Sequence, residues 1–158
     1  MKREALLIKT AFACMACDGS IDPKEMKLVR EYACEDGICN EETLDEELEK
    51  LAEEFNEDSN EFMRGYFDSL QAATLSAEEQ LDIIRYAIDI IRSDEYIDYR
   101  EIRFFKTIRS YLPISDEDIL SRMDDIEDYL QRDIGDRTTR SNPMEAFLDS
   151  FDTKHVDL

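Results

Sequence analysis

Apolar residues recur along this chain at steps of three and four. Leu7, Ala11, Cys14 and Cys17 open the pattern, which is the period of one helix face rather than the two-residue alternation of a half-buried strand. A second segment is predicted to start at Asp22, with Pro23 in the first helical position, and to run to about Cys34, because proline's fixed φ and missing N–H suit a helix start. Gly37 closes it. Leu44, Leu48, Leu51 and Phe55 mark a third helix, and Phe62, Met63, Tyr66, Phe67 and Leu70 a fourth, each with an acidic outer face. Ser76 and Glu79 form a capping box for a fifth. Its two apolar stripes, Leu81, Ile84, Ile88 and Ile91 beside Ile83, Ala87 and Ile90, predict the most buried helix, at the centre. A sixth runs from Asp98 to about Tyr111, before Pro113, and Ser115 caps a seventh through Ile119, Met123, Ile126 and Leu130.

The fold class is therefore all-α, one domain of about seven helices. From Arg132 to Asn142 the chain turns polar around Gly135, and Met144, Phe147, Leu148 and Phe151 then suggest a short C-terminal helix or tail. The expected division is a helical domain over 1–131 and a linker and tail over 132–158, the tail being dispensable for folding.

Two helix pairs repeat. Sliding the sequence by 76 residues pairs Asp18 with Asp94, Ile21 with Ile97, Asp22 with Asp98 and Glu25 with Glu101. Apolar positions follow: Leu7 meets Ile83, Phe12 meets Ile88, Leu28 meets Phe104, Val29 meets Phe105 and Ile38 meets Ile114. Residues 4–39 and 80–115 are thus two copies of helix, acidic turn, helix, with spacer helices over 41–73 between them. A helical hairpin alone buries one face poorly, so two hairpins packed together are expected. The acidic turns could then be neighbours.

Charge narrows the functional classes. Against 19 Lys and Arg stand 40 Asp and Glu, a net charge of -21, which repels nucleic-acid phosphates and anionic lipid headgroups alike. Cations and basic protein surfaces are the expected partners, and nucleic acid is not. The basic and then apolar start, MKREALLIKTAFACMAC, reads as a helix face rather than an export signal, since Glu4 and Lys9 interrupt it. No stretch approaches the roughly 18 apolar residues of a membrane span. A cytoplasmic protein without stable membrane insertion is expected.

The repeated turns, CDGSIDPKE and SDEYIDYRE, admit two readings. Asp22 with Glu25, and Asp98 with Glu101, fit helix capping without any ligand. Capping leaves Asp18 and Asp94 unexplained. Both stand at the C-terminal end of a helix, where the macrodipole disfavours an anion by about 0.3–1 kcal/mol, unless the start of the following helix or a cation offsets it. The second reading is a divalent-cation site of hard carboxylate ligands: Asp18, Asp22, Glu25, Asp94, Asp98 and Glu101. Calcium or magnesium suits these oxygens better than zinc. An EF-hand loop is excluded, because Pro23 stands where that loop needs Gly and Val29 where it needs Glu.

The stretch ACDGSIDPKE resembles the signature of the tellurite-resistance TerB family and the wider TerB-like domain: alanine, one residue, Asp-Gly, then Asp-Pro-x-Glu. Asp18, Gly19, Asp22, Pro23 and Glu25 fall in place. The second turn carries Glu95 for the glycine and Tyr99 for the proline. The resemblance spans roughly residues 1–130 and implies a bacterial all-helical domain of duplicated hairpins with acidic metal-binding positions.

Cys14, Cys17, Cys34 and Cys39 come near a structural zinc spacing, yet their repeat partners are Ile90, Ser93, Ser110 and Ser115. Reduced, structural thiols are the favoured reading, ahead of zinc or redox chemistry. The single histidine, His155, lies near the C-terminus, and no Gly-rich phosphate loop occurs. The protein is not expected to be an enzyme. Two functions remain: an acidic cation-binding module, which the resemblance would associate with bacterial stress or tellurite-resistance physiology, and a metal-free helical interaction or scaffold protein.

Overall fold

The computed structural model describes residues 3–17, 21, 23–35, 37, 41–93, 99–123 and 148. Helices α1 (Arg3–Ala16), α2 (Pro23–Glu35), α3 (Glu41–Glu57), α4 (Ser59–Ala72), α5 (Ala77–Arg92), α6 (Tyr99–Ser110) and α7 (Asp116–Arg122) account for most of them, and no strand occurs among the described residues. Their ends follow from local chemistry. Pro23 opens α2, and Gly37, at φ 66°, turns the chain after it while its N–H returns to the Cys34 carbonyl at 3.3 Å. Ser76 accepts from the Glu79 amide and the Glu79 carboxylate accepts from the Ser76 amide, both at 3.2 Å, so the predicted capping box starts α5. Ser115 caps α7 through the Asp118 amide. Asp58 caps α4 through the Glu61 amide at 3.1 Å. The sequence DSNE carried that last signal unread.

α1 and α5 make the most extensive helix contact in the molecule, α2 also packs on α5, and α6 also packs on α1. The two repeated hairpins are thus interleaved through a central pair, with α3 and α4 against each other and against α1. The expectation that α5 is the most buried helix is corrected. From Leu6 to Ala16 every residue of α1 except Lys9 is buried, as is Cys17 after it, whereas Leu81, Asp82, Arg85 and Asp89 of α5 remain partly open. Small side chains explain this: Ala11, Ala13, Cys14, Ala16 and Cys17 let neighbouring helices approach α1 from every side.

Long-range polar contacts fix the arrangement. The Thr10 hydroxyl donates to the Leu6 carbonyl at 2.8 Å, leaving its lone pairs to accept from the buried Tyr66 hydroxyl at 2.8 Å, which ties α1 to α4. Gln80 donates to the Leu75 carbonyl and accepts from the Ile114 amide at 2.9 Å, clasping the start of α5 to the chain after α6. Leu148, in helical conformation and buried, joins the same core. The rest of the expected linker and tail, with Ile126 and Leu130 of the predicted seventh helix, lies outside the described residues.

Candidate site at the two repeated helix starts

Glu25 is the third residue of α2 and Glu101 the third of α6, the register that the 76-residue repeat assigns them. Both are buried, at 4% and 3% exposure. Glu79, the third residue of α5, is an informative control. It too stands where a capping box needs a carboxylate, and it serves that box half-exposed, in contact with water. Capping therefore does not demand burial. Removing a carboxylate from water is costly unless charge or hydrogen bonds compensate it, and this chain does so at the same place in both repeats.

Both carboxylates act on one thiol. Burial, and then the charges of Glu101 and Glu25, push the Cys14 thiol well above its ordinary value. One thiol feels both carboxylates because α1, which carries it, packs on both α2 and α6. The second helix of each repeat thus packs on α1. Asp18, Asp22, Asp94 and Asp98, the other four residues of the predicted site, lie outside the described residues. Among the described residues no three His, Cys, Asp or Glu side chains are grouped to hold a metal ion.

The cysteines behave as small helix-end groups. The Cys17 thiol donates to the Cys14 carbonyl at 3.2 Å, and its repeat partner Ser93 donates to the Ile90 carbonyl at 2.6 Å, the same bond one repeat later. Cys14 and Cys17 are buried and Cys34 is exposed, and none of the three is in a disulfide. Cys39 lies outside the described residues.

Sequence reasoning missed a polar cluster between α2 and α5. The Tyr32 hydroxyl donates to the Asp89 carboxylate, and the Arg85 guanidinium lies over the Tyr32 ring at 5.5 Å and the Tyr86 ring at 5.6 Å. Burial and this hydrogen bond raise the Tyr32 phenol above its ordinary value. The one available signal was Tyr32 itself, a polar-tipped residue where the repeat carries Ile108.

Duplicated helical hairpins, interleaved through a central pair and each burying a glutamate at the third position of its second helix, define a class of all-α domain. The family model described as Tellurite resistance protein TerB matches residues 4–123, and the chain belongs to that family. No curated protein and no solved structure matches it. Among the described residues no helix is long and apolar enough to cross a membrane.

Proposed function

We propose that the protein is a binding module for a divalent cation rather than an enzyme, and that its two acidic turns act as one locus. The observation that carries this reading is the burial of Glu25 and Glu101, in register and within electrostatic reach of one thiol, where the capping glutamate Glu79 stays half-exposed. Asp18, Asp22, Asp94 and Asp98 are the further ligands in this reading, each on a turn that adjoins one of these glutamates. Hard oxygen donors favour calcium or magnesium over zinc. Cys14 is not counted as a ligand, because its thiol is held protonated at neutral pH. The bound charge would offset part of a net -21, and the acidic surface that remains suits basic protein partners in the cytoplasm.

Thermal melting of the full chain with calcium, magnesium or manganese chloride tests the reading. If the ion binds only the folded form, about 100 times its dissociation constant adds about 2.7 kcal/mol of stability. Glu25→Gln alone and Glu101→Gln alone should each remove most of that gain, since one locus needs both arms. Asp18→Asn should do the same. Two half-sized, additive losses would replace one locus by two sites. Melting indifferent to all three ions at millimolar concentration rejects cation binding and leaves the metal-free interaction protein.

A further inference from the structure

The two arms of the acidic locus are held differently. α6 carries Glu101 on a helix that fully buries Phe104, Phe105 and Ile108, and Phe104 packs against the Tyr66 and Phe67 rings of α4 at 6.0 and 5.6 Å. α2 carries Glu25 on a helix whose only fully buried apolar residues are Val29 and Ala33. Far less apolar area is removed from water in the second case. Polar contacts stand in its place. Arg30 reaches Asp45 of α3 at 2.9 Å with both side chains about half open to solvent, a geometry that contributes little. Tyr32 reaches Asp89 of α5 beneath the Arg85 guanidinium, in part-buried surroundings where a hydrogen bond to a carboxylate counts for more. The repeat has no equivalent: Tyr32 corresponds to Ile108 and Asp89 to Ala13, both buried and apolar.

Tyr32 stands seven residues beyond Glu25, about two helical turns, so both lie on one face of α2. A helix anchored at Tyr32 is fixed in rotation, and Glu25 with it. We propose that Tyr32 and Asp89 are positioning residues for the cation locus, holding α2 in the rotation and depth that bury Glu25. This rests on the cation-binding reading above. Without the latch, α2 docks chiefly by Val29, Ala33 and the half-buried Met26 and Leu28 and spends most of its time displaced, and the apparent affinity falls in proportion to the fraction of time it stays docked.

Calcium chloride titrated calorimetrically into the full chain tests this, with Tyr32→Phe removing the hydroxyl but not the ring that Arg85 covers. The expected result is a five- to tenfold weaker calcium affinity and faster amide exchange confined to α2, with metal-free melting within about 3 °C of the parent. Asp89→Asn should bind as the parent does, because its amide oxygen accepts the same hydrogen bond. If Tyr32→Phe binds calcium as tightly as the parent, the positioning role is wrong while cation binding stands. If the parent itself responds to none of calcium, magnesium or manganese, both fail together.

Discussion

The first and second hairpins share a register but divide the work of folding unequally. α1 is the most enclosed helix of the molecule, and its partner α2 is lightly held, with Met26, Leu28 and Tyr32 only half-buried. In the second hairpin the burden is shared: α5 keeps a partly polar face, and α6 is anchored by aromatic rings. Duplication therefore preserved the acidic positions while the apolar ones drifted, Leu28 against Phe104 and Val29 against Phe105. The difference teaches that pseudo-symmetric sites need not have pseudo-symmetric supports. One glutamate stands on a rigid arm and the other on an adjustable one.

The sharpest way to break that comparison is to truncate matched residues. Phe104→Ala should cost about 3–5 kcal/mol, as a fully buried aromatic does when a cavity replaces it. Its repeat partner Leu28, half-buried, should cost about 1–2 kcal/mol on the same change. Urea denaturation of both variants measures the gap. Equal losses would mean that α2 is anchored as firmly as α6, and the asymmetry argued above would disappear.

A smaller effect is expected from the C-terminal segment. Leu148 is buried against the common core, so Leu148→Ala should cost about 2 kcal/mol, and removal of 133–158 should lower stability rather than leave it untouched. This sharpens the comparison: whichever hairpin shows faster amide exchange in the variant is the one that leans on the tail. An unchanged denaturation midpoint would show that the segment contributes nothing to the core.

The architecture was legible in the sequence because its signals are local. Spacing of three and four gave the helices, Pro23 and Gly37 bounded α2, and Ser76, Glu79 and Ser115 wrote their caps in plain residue types. The degree of burial was not legible. Two isoleucine stripes pointed to α5, while the small residues of α1, which carry little hydrophobicity each, allow the closest approach on every side. For the site, the repeat supplied the register of Glu25 and Glu101 but not their burial, since Glu79 has the same local grammar and stays at the surface. The Tyr32 to Asp89 contact spans 57 residues and the Thr10 to Tyr66 contact 56. Nothing local announces either.

The smallest predicted effect concerns a place where the hairpins differ in chemistry at equal burial: Cys14 in the first, Ile90 in the second. The Cys14 thiol is raised well above its ordinary value near 9 by burial and by Glu101 and Glu25. A group that holds its proton more tightly when folded contributes stability that is fully present below the unfolded value and is lost as pH rises from there toward the folded value. Neutral pH therefore shows no effect of the thiol's titration. One pH unit above the unfolded value, the unfolded state has released a proton that the folded state keeps, and the parent should have lost about 1.4 kcal/mol from this group. Cys14→Val keeps an apolar side chain of similar size at the site and removes the titration, so its stability should fall less steeply between about pH 9 and 10. The raised phenol of Tyr32 acts equally in both proteins and cancels in the difference, and that of Tyr66, raised chiefly by burial, loses only the smaller part that Cys14 contributes. Denaturation midpoints of parent and variant at neutral pH and near pH 10 measure it. Parallel curves would show that the thiol is not raised in the folded protein, and both its burial and its two carboxylate neighbours would lose that support.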